Sequence, residues 1–170
     1  MIVGVARIAL ELPGAAVWAT DLSADALKAA RKNVRRYRLE DRVTLLPGDL
    51  LAPLPPGLRL DMVVSNPPYV TEAELPGLPP EVRDYEPRLA LSGLSDASGT
   101  DGTALHRRLL AEAPACLKPG GWVFLEVGAG QSTRVAEAAR ESGYTEVEVH
   151  PDFAGIGRVV AACLSEHSFS

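Results

Sequence analysis

Leu60-Asp61-Met62-Val63-Val64-Ser65-Asn66-Pro67-Pro68-Tyr69 is the stretch on which the fold turns. Its first six residues are a short apolar run that reads as a buried strand. A planar polar side chain, a locked backbone and an aromatic then follow at the strand's carboxyl end. Open α/β sheets bind their ligands outside that end of the strands. The grouping makes a cradle for a flat amide or amine. The plainer alternative is a Pro-rich turn, which Asn-Pro favours in any case.

Working outward, Val5, Ile8, Ala9 and Leu12 have the spacing of one helix face, stopped by Pro13-Gly14. Residues 15–20 predict a strand ending at Asp21. Ser23 then offers an N-cap to a helix with Ala26, Leu27, Ala30 and Val34 on one side. Arg42 to Leu46 predicts a second strand, closed by Pro47-Gly48-Asp49, and 51–58 a Pro-rich loop. Residues 70–100 hold no clear element. Connections longer than about 12–15 residues are uncommon inside domains and tend to be lids or binding loops, so this one is expected to be a lid. A helix from Asp101 to Cys116 ends at Lys118-Pro119-Gly120-Gly121. A strand over 122–127, a helix over 132–141, and strands over 144–150 and 158–164 complete the pattern. The alternation implies a parallel sheet with helices on both faces. The short loop from Pro151 to Gly157 makes the last two strands an antiparallel hairpin at the edge. That combination points to the methyltransferase variation on the nucleotide-binding fold, an α/β, Rossmann-like architecture.

The chain has 170 residues, which suggests one domain with a sizeable core. Its net charge of -5 and pI near 5.2 argue against a broad nucleic-acid footprint, which needs a basic face. Arg31, Lys32, Arg35, Arg36 and Arg38 form a local basic cluster, read as the solvated face of a helix. Cys116 and Cys163 sit in apolar surroundings without metal-ligand spacing, so no metal is expected and a reduced, cytoplasmic setting fits. Membrane-span and signal-peptide patterns are absent.

Among candidate site residues, Asp21 ends its strand before a helix, where a carboxylate can accept both hydroxyls of a ribose; a helix cap is the alternative. Asp49 could accept an adenine amino group while Leu50 packs on the purine, or it could be a turn aspartate. The Asn66 carboxamide oxygen can accept from an NH2 group. Pro68 lacks an N–H and holds Pro67 extended, which frees the Pro67 carbonyl to point into the site. Two acceptors would then hold the two hydrogens of one NH2, and Tyr69 could cover the substrate or sit near a sulfonium methyl donor. Such a site suits methyl transfer to a poorly nucleophilic planar nitrogen. Pinning the hydrogens aims the lone pair, and orientation of that kind is worth up to roughly 7–11 kcal/mol in well-aligned systems. None of His106, His150 and His167 is an obvious base.

Asn66-Pro67-Pro68-Tyr69 resembles the signature of amino methyltransferases that use S-adenosylmethionine, shared by DNA adenine, ribosomal RNA and protein glutamine enzymes. Val82-Arg83-Asp84-Tyr85-Glu86-Pro87-Arg88-Leu89-Ala90-Leu91, Gly99-Thr100-Asp101-Gly102, Leu125-Glu126-Val127-Gly128 with Gln131, and Asp152-Phe153-Ala154-Gly155 with Arg158 narrow the resemblance to the HemK/PrmC family. It covers nearly the whole chain. It implies a class I methyltransferase fold, S-adenosylmethionine as cofactor, and methylation of the glutamine nitrogen in the Gly-Gly-Gln motif of peptide-chain release factors. By the same resemblance, Asn66 and the Pro67 carbonyl hold the amide, Asp21 the ribose, Asp49 and Leu50 the adenine, and Asn66 lies close to the cofactor too.

The front of the chain departs from the family. Gly4 matches the last glycine of the family's Gly-rich cofactor loop, and Met1-Ile2-Val3 stands where the others belong. The first strand, central in this fold between those ending at Asp21 and Asn66, is expected to be missing, and with it the family's N-terminal helical domain. Residues 1–170 are thus expected to be the catalytic domain alone, truncated or begun at a late start codon. Two other readings remain: a nucleic-acid adenine or guanine methyltransferase, against which the acidic pI and Glu86-Pro87 argue, and a non-catalytic remnant that binds cofactor weakly.

Overall fold

The computed structural model describes residues 2–71, 73–77, 79 and 101–165. The lid expected over 70–100 falls largely outside the described residues, as does the Glu86-Pro87 segment. The chain forms two compact units, 1–58 and 59–170.

In the first unit the order is α1 (Ile2–Glu11), β1 (Val17–Asp21), α2 (Ala24–Arg36) and β2 (Val43–Pro47). β1 and β2 pair in parallel with Val17 beside Val43 and Asp21 beside Pro47. The core joins Ala6 and Ala9 of α1 to Val34, Leu39 and Val43. Ser23 caps α2 as its sequence suggests, its Oγ accepting from the Ala26 N–H at 3.2 Å. α2 buries Leu27, Ala30 and Val34, the i, i+3, i+7 stripe of an amphipathic helix. Lys28, Arg31, Lys32, Arg35, Arg36 and Arg38 are exposed, so the basic cluster is the solvated face the sequence implied. The Arg42 guanidinium donates to the Leu12 and Pro13 carbonyls at 3.1 and 2.8 Å, tying the start of β2 to the end of α1.

The second unit holds β3 (Leu60–Ser65), α3 (Ala104–Glu112), β4 (Leu117–Glu126), α4 (Ser132–Glu141), β5 (Tyr144–Pro151) and β6 (Gly157–Leu164). Its sheet order is β3-β4-β6-β5. β3 and β4 are parallel, and β6 runs antiparallel to both neighbours. The parallel sheet with an antiparallel last strand is therefore as expected. Val123, Leu125 and Val127 are fully buried, whereas Trp122 and Phe124 between them are half-buried. α3 supplies buried Leu105, Leu109 and Leu110, and α4 buried Val135, Ala136, Ala138 and Ala139.

Two expectations need correction. β3 is not a buried strand: Val63 is buried, but Met62 and Val64 are 41% and 53% exposed. Alternate residues of a strand share a face, and on that face Met62, Trp122, Phe124 and Ala161 line a shallow depression. The second concerns boundaries. Pro114 ends α3 early in a single 3₁₀ turn, Ala113–Ala115, and Lys118-Pro119-Gly120-Gly121 joins β4 instead of preceding it. Among the described residues, β1 pairs with β2 alone.

Candidate active site

In the first unit the chain turns at the carboxyl ends of β1 and β2 so that Asp21 and Asp49-Leu50 share one edge. The Gly48 N–H donates to the Asp21 carbonyl at 3.1 Å. The Thr20 hydroxyl donates to the Leu50 carbonyl at 2.6 Å. Leu50 sits at φ +43°, a left-handed conformation costing a leucine roughly 1–2 kcal/mol. Strain of this kind persists where surroundings over-determine it, and it clusters at ligand sites. Asp21 accepts the Ser23 N–H at 2.8 Å on Oδ1. Its Oδ2 makes no hydrogen bond among the described residues, so the carboxylate keeps an acceptor for a ligand. An acceptor carboxylate beside a half-buried leucine fits the sugar and base of a nucleoside. Gly4 lies within α1.

In the second unit, Asn66 leaves β3 exposed, with Pro67 buried behind it and Pro68 and Tyr69 half-buried. The Asn66 carboxamide makes no hydrogen bond among the described residues and is open to a ligand. Beyond it the segment is tied down. The Tyr69 carbonyl accepts from Gln131 Nε2 at 3.1 Å, and the same nitrogen donates to the Asp101 carbonyl at 3.2 Å. Gln131 Oε1 accepts the Gly128 N–H at 2.9 Å. One buried carboxamide thus joins the chain after β3, the approach to α3 and the loop after β4. Glycine is required twice in this knot. Gly102 sits at φ +72°, and a Cβ there would overlap the Tyr69 carbonyl and the Gln131 amide. A Cβ on Gly128 would lie 3.0 Å from the Tyr69 ring and 2.9 Å from Gln131 Oε1.

Titratable groups around the knot support it without serving as bases. Asp101 accepts the Thr103 hydroxyl at 2.7 Å and N–H at 3.0 Å, and these bonds hold its carboxyl below the usual range. Glu74, accepting from the Thr71 N–H and hydroxyl, is lowered for the same reason. His106 is fully buried on α3 with Nε2 2.9 Å from the Glu126 carbonyl. Burial pushes its pKa down, so the ring is neutral and structural. No cluster of His, Cys, Asp or Glu able to hold a metal occurs among the described residues.

The structure therefore brings Asp21, Asp49 and Leu50 together in one unit, and holds Asn66, Pro67, Pro68 and Tyr69 as one braced segment in the other. Gln131 enters the sequence reading only as part of a family pattern, with no task of its own; Gly128-x-x-Gln131 is a turn in which the side chain can reach back to the glycine N–H, and that spacing was the available signal.

Residues 3–76 match the model of the methyltransferase small domain family. The fold is similar to a methyltransferase from Pyrococcus furiosus, with a TM-score of 0.67 at 20% identity over 94% of this chain and 68% of that one. It is also similar to the ribosomal protein L11 methylase from Lactobacillus delbrueckii subsp. bulgaricus, at TM-score 0.56 and 20% identity, covering 95% and 64% of the two chains. The architecture is that of a class I, Rossmann-like methyltransferase. The sequence is 49% identical over 156 residues to the release factor glutamine methyltransferase of Moorella thermoacetica, covering 91% of this chain and 53% of the relative. For that of Gloeobacter violaceus the identity is 46%, over 90% of this chain and 52% of the relative. Over about 90% of its length the chain is thus similar to release factor glutamine methyltransferases, and it spans about half the length of the curated relatives it matches.

Proposed function

We propose that this chain is the catalytic portion of an enzyme that transfers a methyl group from S-adenosylmethionine to the glutamine side-chain nitrogen in the Gly-Gly-Gln motif of release factors. The observation that carries the reading is the exposed Asn66 carboxamide, without a hydrogen bond among the described residues, on a segment braced by Gln131. The names of the relatives support the same substrate. The cofactor, when bound, supplies an electrophilic methyl on sulfonium sulfur. Asp21 would accept its ribose hydroxyls, with Asp49 and Leu50 at its adenine; Gly4 is the remaining cofactor residue by family position.

Asn66 Oδ1 and the Pro67 carbonyl accept the two hydrogens of the substrate amide. Held this way, the nitrogen is drawn from planarity and its lone pair is aimed along the line of attack. A carbon–nitrogen bond forms as the carbon–sulfur bond breaks, and the nitrogen's proton leaves afterwards to solvent. No strong base is required before attack, and His106, buried with its Nε2 on the Glu126 carbonyl, is given no such part. Tyr69, its carbonyl fixed by Gln131, flanks the amide. The reading places the chain with release factors in the cytoplasm and involves no direct nucleic-acid contact. No described helix is long and apolar enough to cross a membrane.

Calorimetry with S-adenosylmethionine, followed by labelled-methyl transfer onto a release factor, DNA and ribosomal RNA, tests the reading. Saturable cofactor binding and label on the release factor alone are expected. Label on nucleic acid would replace it with the adenine or guanine reading, and no cofactor binding with the non-catalytic one.

A further inference from the structure

The loop joining β5 to β6 holds a phenylalanine that the described residues leave wholly uncovered. Phe153 is 114% exposed, flanked by Ile156 at 43% and Val149 at 41%. The loop itself is closely held. The Asp152 N–H donates to the Ile156 carbonyl at 2.8 Å and the Gly155 N–H to the Asp152 carbonyl at 3.0 Å. Asp152 Oδ1 accepts the Ala154 and Ile156 N–H groups at 2.9 and 3.0 Å. Gly155, at φ +80°, makes the turn possible. At the base, Arg158 Nε lies 3.7 Å from Asp152 Oδ2, and the Arg158 carbonyl accepts the Val127 N–H at 2.9 Å. These contacts order the backbone from which Phe153 projects.

That loop stands on the ligand edge. Glu126 at the end of β4 pairs with Val159 of β6, so the loop leaves the sheet beyond the carboxyl end of β4. Ser65 lies beside Leu125, so Asn66 leaves by the same edge. β4 alone separates β3 from β6, an offset of about 10 Å at the usual strand spacing. A glutamine side chain held at Asn66 does not span that offset. A folded protein carrying the glutamine on a loop does.

We propose that Phe153, with Ile156 at its flank, is the anchor by which a folded protein substrate is recognised through an apolar pocket on its own surface. The proposal rests on the function given above and adds what distinguishes the whole protein from the short sequence around its glutamine. Aromatic side chains dominate such anchors, and one carried on an already ordered loop binds without the cost of ordering that backbone.

The test compares the wild-type chain with Phe153→Ala for binding to an intact release factor and to a short Gly-Gly-Gln peptide. The expected result is about a 30-fold weaker affinity for the intact factor, the scale of a hot-spot residue, with peptide affinity and melting temperature unchanged. Intact-factor binding within two-fold of wild type overturns the anchor while leaving the substrate reading in place. An equal loss for peptide and protein overturns it too, because the ring then acts at the amide site. A lowered melting temperature shows that the chain's own residues cover the ring. A wild-type dimer dissolved by the substitution shows that a second copy does. A wild-type chain that binds no release factor overturns the substrate reading and the anchor together.

Discussion

Asn66 and Gln131 are both carboxamides, and the fold treats them in opposite ways. Asn66 is exposed and makes no bond to the described residues, so Asn66→Ala removes chemistry without removing packing. Transfer onto a release factor should fall by roughly 100-fold or more, the scale of losing one preorganised hydrogen-bonding group in an active site, while the melting temperature stays within a degree or so of wild type. Near-normal transfer would refute the cradle. Gln131 is buried and satisfies three backbone groups. Gln131→Leu leaves them unpaired at about 1–3 kcal/mol each, so chemical denaturation should show a large loss of stability as well as of activity. A stability within 0.5 kcal/mol of wild type, the usual range for inconsequential surface changes, would remove Gln131 from its bracing role. Asn66 was legible because a rare four-residue pattern announces it. Gln131 was not, because its partners come from positions 69, 101 and 128, and only folding shows that they meet.

Between elements, the seam of α3 against β4 is sealed by His106, whose Nε2–H donates to the Glu126 carbonyl. Burial lowers the imidazole's pKa below its ordinary value. The unfolded chain therefore binds a proton near pH 6.5 that the folded chain refuses, so unfolding binds protons and stability is lost as pH falls through that value. Denaturation midpoints measured from pH 8 to pH 5 should decline below about 6.5, and His106→Gln, which keeps an N–H for Glu126, should flatten the decline. An unchanged profile in the variant would assign the decline elsewhere. Helices and strands were mostly legible from spacing and caps: Ser23 starts α2, and Gly143 follows α4. β3 misled because an apolar run reads the same whether or not the sheet face it lies on is covered. Exposure of Met62 and Val64 is a property of that open face, not of the run. Pro114 was visible in the sequence, and its shortening of α3 could have been foreseen.

Across the whole molecule, each compact unit carries its own sheet and its own buried cluster, one with Ala9 and Val34, the other with Leu110, Val123 and Leu125. Scanning calorimetry should accordingly show unfolding that departs from two-state, with the van't Hoff enthalpy below the calorimetric one; a single transition with equal enthalpies would show one cooperative body. The acidic balance and the order of elements were readable over the full length, whereas this division was not, since it depends on which strands find partners. The chain also contains one glutamine in its 170 residues, and that glutamine is Gln131. Both its N–H groups are committed to carbonyls, and methylating its nitrogen would forfeit one of those bonds. Within these 170 residues the single glutamine amide is thus already spoken for: the side chain that braces the segment after β3 could not be alkylated without loosening that segment.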